Sequence, residues 1–366
     1  MATIERVAVV LFNLGGPNNL DAVEPFLFNL FKDPAIISVP NPFRWLIAKL
    51  IAHRRAPKAR KIYAQMGGSS PILGETQAQA KALESLLTAQ KHQIQWRVEI
   101  AMRHWHPFAN EAVDRLEKFA AQRVILLPLY PQYSGTTTGS SLKNWDRATI
   151  ARSFSKDHRL VCCYPDDKIF IAAHIDRIAA EITTTRRETE RGQPLHILLS
   201  AHGLPKRVID RGDPYQWQVE LTNAAIAEGL KARGLVGPET EIVTCYQSRV
   251  GPLEWIGPAT DAEIKRAGAA GAAVIVVPVA FVSEHAETLV ELDIEYAALA
   301  YEYGVVRYSR VPALANDEEF IACLARLVMA ALSDKDTSCP IYTGMASSNA
   351  CSKAFPTCPV CGYDTA

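Results

Sequence analysis

The sequence predicts an α/β protein made of two similar, doubly wound parallel sheets of four strands each. Three observations lead there. Short apolar, β-branched runs alternate with longer helical stretches. The runs lack clean apolar–polar alternation, which is how strands buried on both faces of a parallel sheet read. The pattern also occurs twice, over 1–165 and again over 166–332, and a length of 366 residues is ample for two cores.

Taken in order, the first half has strands expected at 5–13, 96–102, 123–130 and 159–163, and the second at 195–201, 241–246, 273–280 and 305–309. Helical patterns occupy 74–92, 110–121, 168–184, 215–233 and 259–269, each able to carry the chain from one parallel strand to the next. Corresponding strands end in loops of like chemistry. Asn13-Leu14-Gly15-Gly16-Pro17 pairs in this sense with Ala201-His202-Gly203-Leu204-Pro205, and Pro131-Gln132-Tyr133-Ser134 with Phe281-Val282-Ser283-Glu284-His285. Open α/β sheets bind ligands beyond the carboxyl ends of their strands, so two such domains facing each other across a cleft would present these loops to a ligand.

Residues 25–51 stand apart, rich in Phe, Leu and Ile, broken by prolines and poor in helical periodicity. They read either as an irregular segment packed on a core or as an apolar lip for a flat ligand or a membrane surface. The basic stretch HRRAPKARK that follows suits anionic lipid or ligand carboxylates, hence peripheral membrane contact. The tail, 333–366, begins rich in Ser, Thr and Ala and holds Cys339, Cys351, Cys358 and Cys361. Hydrophobic residues make up 48% of the chain, and Lys plus Arg equals Asp plus Glu at 39 each, so no global field favours nucleic acid. The N-terminus lacks the pattern of a secretory signal, and no run of about 18 apolar residues occurs. A cytoplasmic protein is expected.

The candidate chemistry lies at the strand ends. His202 follows an apolar strand and is turned by Gly203 and Pro205. A lone histidine there is more often structural, but its place at a strand's carboxyl end favours function. Glu284, Glu287 and Glu291 are spaced to share one helix face behind Ser283. Acidic residues in a first helical turn need no purpose beyond the helix dipole, yet this stripe, with His285 beside it, also suits a divalent cation or a proton relay. Arg103 and His104 sit with Trp105 and His106 at another strand end, a setting for ligand carboxylates and flat rings. Asn13, Ser70, Tyr133 and Ser134 in the polar loops are further candidates for substrate contact. The 61–71 stretch lacks the Gly-Lys-Ser/Thr ending of a phosphate loop, and 13–17 lacks the spaced glycines of a dinucleotide site, so no nucleotide cofactor is indicated. The Cys358-x-x-Cys361 knuckle, with Cys339 and Cys351, suits metal.

Together the loops resemble the ferrochelatases. The matching strings are NLGGP at 13–17, APKARKIYAQMGGSSPIL at 56–73, AMRHWHP at 101–107 and LYPQYSGTTTGSSL at 129–142, followed by SAHGLP at 200–205, YQSRVGP at 246–252 and FVSEHAETLVELDIEY at 281–296. They stand in the family's order across residues 5–312. The resemblance implies two Rossmann-like, chelatase-like domains with a porphyrin cleft between them. It implies insertion of Fe²⁺ into protoporphyrin IX, the last step of haem synthesis. His202 matches the family's active-site histidine and Glu287 its partner, the two groups placed to meet Fe²⁺ and the ring protons. Glu284 and Glu291 match an acidic path, with Glu284 standing where the family usually has Asp. Arg103 matches a pocket arginine, His104 stands where an aromatic residue is frequent, and 25–51 matches the apolar lips of the mouth. Alternatives are metallation of coproporphyrin III or another tetrapyrrole, and a porphyrin carrier, although a carrier needs no proton acceptors.

The resemblance also bears on the tail. Many ferrochelatases carry a [2Fe–2S] cluster near the C-terminus, and this favours a cluster on Cys339, Cys351, Cys358 and Cys361, with structural Zn²⁺ as the alternative. Some relatives take a cluster ligand from the PQYS loop, where this chain has Gly135, so a cluster here needs another ligand set.

Overall fold

The computed structural model describes residues 4–156, 158–249, 251, 253–333, 341–342 and 355. These form two compact units, and the α/β reading with two parallel four-stranded sheets holds in both.

The first unit contains β1 (Glu5–Asn13), β2 (Ile94–Met102), β3 (Arg123–Pro128) and β4 (His158–Cys163). Their order is β2-β1-β3-β4, all parallel, with the short strand Ile341–Tyr342 added beside β4. Val7 to Phe12 are all buried, as a central strand covered on both faces requires. Each such Val or Leu contributes roughly 1.5–3 kcal/mol by leaving water.

The second unit contains β5 (Leu195–His202), β6 (Thr240–Gln247), β7 (Ala273–Pro278) and β8 (Tyr308–Arg310), in the order β6-β5-β7-β8. The two units therefore share one topology. In each, the first strand sends its chain to one side and then to the other, so a switch point opens between the first and third strands. Crevices that bind ligands form at such points. Here they are the carboxyl ends of β1 and β3 and of β5 and β7.

The helix Lys168–Glu188 begins where the Asp167 side chain accepts the Ile169 and Phe170 backbone N–H groups, and His174 lies fully buried on its inner face with its ring 4.8 Å from that of Phe170.

Three features depart from the expectations. Residues 25–51 are not irregular: helices cover Val23–Phe31 and Phe43–Gln65. Their periodicity escaped notice because the buried stripe of the second helix is Ala48, Ala52 and Ala56, while Phe43, Leu46 and Leu50 are 63%, 56% and 50% exposed. A search for large apolar residues on one face follows the wrong face. Second, the helix expected after Ser283 is a π-helix, Glu287–Glu295. Third, the final helix, Glu318–Ser333, falls almost wholly in the second half as read from sequence, 166–332, but from Ile321 onward it groups with the first unit. Arg123 and Arg159 of that unit donate to the Leu332 and Ala331 carbonyls, satisfying acceptors that a helix end leaves open.

Candidate active site

In the second unit, β5 ends on His202, in register with Gln247 of β6. The Gly203 N–H donates to the Gln247 carbonyl at 2.8 Å. Gly203 is needed there, since a Cβ would lie 3.0 Å from that carbonyl oxygen and 3.3 Å from the Trp255 ring. His202 Nδ1 lies 2.6 Å from the Gly203 carbonyl oxygen. A carbonyl only accepts, so Nδ1 carries a proton, and Nε2 is the nitrogen left for chemistry. It lies 3.5 Å from Glu287 Oε1. The other Glu287 oxygen is 3.2 Å from His285 Nε2. Both His202 and Glu287 keep about a third of their side chains exposed, 33% and 32%.

The loop after β7 places Glu287 opposite His202. Val279 N–H donates to the Ser200 carbonyl, extending the β5–β7 ladder, and His285 N–H donates to Thr288 Oγ1 at 2.9 Å, turning the chain into the π-helix. π-helical segments are rare and occur frequently at functional sites.

The three carboxylates have different surroundings. Burial disfavours the Glu287 anion, but His202 and His285 outweigh it and hold its carboxyl well below the usual range. Burial likewise pushes His202 down, yet Glu287, with the Gly203 carbonyl and Glu291, reverses this and raises it to about 9. Glu291 accepts Ser248 N–H at 2.8 Å and Tyr296 O–H at 3.1 Å on one oxygen, and Gln247 Nε2 at 3.3 Å and the Ser248 hydroxyl on the other. Burial still raises its carboxyl above the ordinary value. Glu284 is taken up by Arg310 at 2.9 Å and by the Ala313 N–H at 2.8 Å, and Arg310 also grips Asp293.

In the first unit, the Arg103 guanidinium lies 2.7 Å from Asp33 Oδ2 and donates to Ser140 Oγ at 2.6 Å, and Ser140 in turn donates to Asp33 at 2.5 Å. His104 is 1% exposed, 4.0 Å from the same Asp33 oxygen. Burial, with Arg103 adding to it, holds its imidazole down near 3. Arg103 thus has a resident carboxylate, which the sequence reading did not anticipate. Asn13 is buried and donates to Thr76 Oγ1 at 3.0 Å. Ser70 packs against Gly16, and its N–H donates to the Pro17 carbonyl. Tyr133 and Ser134 are buried at the end of β3, where Ser134 Oγ meets Thr136.

A ferrochelatase family model matches residues 6–332. The chain belongs to the ferrochelatase family. It is 48% identical to the ferrochelatase of Hyphomonas neptunium over 97% of this chain and 94% of that one. It is 51% identical to that of Caulobacter vibrioides over 88% and 90%, and 43% identical to that of Rickettsia felis over 97% and 98%. Among solved structures, SirB from Bacillus subtilis aligns more loosely, with a TM-score of 0.48 and 12% identity over 90% of this chain and 96% of that one.

The structure brings His202, Glu287 and Glu291 together at the β5/β7 switch point, and Arg103 and His104 together around Asp33. Cys339, Cys351, Cys358 and Cys361 lie outside the described residues. Among the described residues, no three His, Cys, Asp or Glu side chains converge as a metal site. Sequence reasoning missed Asp33, Gln247, Ser248 and Arg310. Gln247 and Ser248 do lie in the YQSRVGP string, directly after a strand, which is where a signal was available.

Proposed function

We propose that the chain inserts Fe²⁺ into protoporphyrin IX to form protohaem, with proton and metal exchange at His202 and Glu287. The observation that carries this is the His202 Nε2–Glu287 pair at a switch point, about a third open to solvent. A porphyrin must lose two N–H protons from the hole that the metal enters. A group that both attracts a cation and trades protons meets that need.

In the ligand-free site His202 is charged at neutral pH, because Glu287 holds its proton. An imidazolium accepts nothing and repels Fe²⁺. Proton and metal compete for the same carboxylate. Fe²⁺ arriving at Glu287 cancels the charge that keeps His202 protonated; the imidazole then releases its proton to solvent and takes one ring proton, and the second ring proton leaves toward Glu291 and solvent. Two protein donors hold a divalent cation weakly, which suits a metal that must be handed on. Glu291, raised by burial and close to Glu287 in the π-helix, is the better placed carboxylate to pass protons outward. Glu284, engaged by Arg310, supports the position of the helix.

The helix Phe43–Gln65 supports a peripheral membrane or porphyrin-facing role for the apolar lip, since Phe43, Trp45, Leu46 and Leu50 are exposed beside Lys49, Arg54, Arg55 and Lys58. Among the described residues no helix is long and apolar enough to cross a membrane. A cytoplasmic location is proposed from composition, and a [2Fe–2S] cluster on the four tail cysteines from the family resemblance, with structural Zn²⁺ fitting the Cys-x-x-Cys spacing as the alternative. Iron with equimolar labile sulfide in the purified protein supports the cluster; zinc without sulfide refutes it.

The deciding test is anaerobic turnover of protoporphyrin IX with Fe²⁺, alongside coproporphyrin III. His202→Ala should abolish insertion and leave porphyrin binding intact. Turnover by that variant at the parent rate would refute the assignment, and binding without turnover by the parent would make the chain a carrier.

A further inference from the structure

We infer that Gln247 is a positioning residue for iron insertion: one buried side chain and its own carbonyl hold the His202 turn, the start of the π-helix and Glu291 in a single frame. The inference rests on the reading of His202, Glu287 and Glu291 as the reacting groups. Gln247 is the last residue of β6 and is 0% exposed. Its backbone carbonyl accepts the Gly203 N–H at 2.8 Å, fixing the peptide whose oxygen orients His202 Nδ1. Its side-chain amide spans to the neighbouring loop, where Nε2 lies 3.2 Å from the Glu287 carbonyl oxygen and 3.3 Å from Glu291 Oε2.

The direction of these bonds follows from elementary donor counting. The Glu287 carbonyl only accepts, so the NH₂ end of Gln247 must face it and the oxygen must face the other way. That oxygen lies 3.0 Å from Ser200 Oγ, so Ser200 donates its one proton to Gln247. Thr260 Oγ1 lies 2.9 Å from Ser200 Oγ and 3.3 Å from Cys245 Sγ, two partners for its single proton. Ser200 and Gln247 form a one-way chain of donors ending on the π-helix. Both are completely buried, so water has no access to replace a lost link. The next residue reinforces the frame. Ser248 has a left-handed backbone, φ 64°, from which its N–H donates to Glu291 Oε1. That conformation is strained for a residue with a side chain, so the contact it serves must offset it.

Gln247 is completely buried and acts through the groups it holds. Its contribution is the distance between the His202 Nε2 acceptor and the two carboxylates, and its loss should therefore appear in turnover and not in substrate binding. The test compares Q247L, Q247E, S200A and S200A/Q247L with the parent full-length chain, measuring kcat and KM for protoporphyrin IX and Fe²⁺, and porphyrin Kd by fluorescence. Q247L should lower kcat about 10- to 100-fold, the usual loss when an outer partner of a reacting group is removed, with porphyrin Kd unchanged. Q247E keeps the size and the acceptor for Ser200 but sets a carboxylate against Glu291, and should lose at least as much. S200A should lose less, and the double variant should fall no further than Q247L, because both act through one chain. Should Q247L fail to fold, S200A alone carries the test, since it removes a single hydroxyl. Parent-like kcat in Q247L or, failing its expression, in S200A overturns the inference, as does a rise in porphyrin Kd matching the fall in kcat, or multiplicative losses in the double variant. His202→Ala separates the two levels. If it is inactive while Q247L is fully active, only the positioning role fails; if His202→Ala turns over normally, the underlying reading fails.

Discussion

His202 and Glu287 bear opposite charges, and their proximity reverses what burial alone would do to each. Two consequences follow at this scale. His202 should titrate near 9, and Glu287→Gln should bring it down, because burial is then opposed only by the Gly203 carbonyl and Glu291. Histidine NMR through pH 5–10 reads this directly, and an unchanged midpoint in Glu287→Gln would refute the pairing. The sign for stability follows: a raised folded-state value stabilises fully below 6.5, and the contribution disappears as pH rises through 9. His174 is the opposite case. Burial, assisted by Arg177, holds it down near 3 against an ordinary 6.5. The unfolded chain binds a proton that the folded chain refuses, so stability is full above 6.5 and falls toward pH 3 by about 1.4 kcal/mol per pH unit. His174→Leu should flatten this acid limb in urea titrations without abolishing it, since His104 is held down in the same direction. A limb of the parent's slope would show that His174 is not responsible.

The π-helix and the lip helix are the elements on which function turns. Arg310 of β8 grips Glu284 just before the π-helix and Asp293 within it, while Tyr308 O–H donates to the Leu292 carbonyl at 2.6 Å. From the other side come Gln247 and Ser248. A helix with wider-spaced hydrogen bonds keeps its shape because two strands hold its side chains and its carbonyls. The lip helix Phe43–Gln65 is built in the reverse sense, with small residues inward and large ones outward. Replacing Phe43, Leu46 and Leu50 together by Gln should change thermal stability little, because these side chains are half or more exposed and Gln is a good helix former. Sedimentation with anionic vesicles should fall about tenfold or more, given roughly 25 cal/mol for each Å² of apolar surface withdrawn. Unaltered vesicle binding would remove the membrane role from this helix.

At the scale of the molecule, the chain makes the same sheet twice and then returns to the first unit through its last helix. Leu324, Leu327 and Val328 of that helix are completely buried. Leu327→Ala should therefore cost about 2–5 kcal/mol, and hydrogen exchange should locate the loss in β1, β3 and β4 of the first unit. Exchange that quickens only in β5 to β8 would contradict the assignment of the helix.

The sequence by itself determined the strand order of chemistry: apolar runs too uniform for one-sided sheets, repeated twice, each ending in Gly, His, Ser or Glu. Seven of the eight main strands fall within about two residues of their expected places, since burial on both faces leaves a signal that needs no partner to be read. The short β8 was displaced, because three half-buried residues carry little such signal. His202 was legible because it ends a buried strand, whereas Glu287, nine residues beyond β7, was singled out by its spacing with Glu284 and Glu291 and by the family resemblance. Only the tertiary structure decided that Asp33 occupies Arg103, that Arg310 occupies Glu284, and that Gln247 joins β5, β6 and the π-helix. These pairs are separated by 70, 26 and 40 residues. A hydrogen bond or ion pair between distant positions leaves no periodicity in either segment, and the geometry that creates it exists only once the sheets have formed.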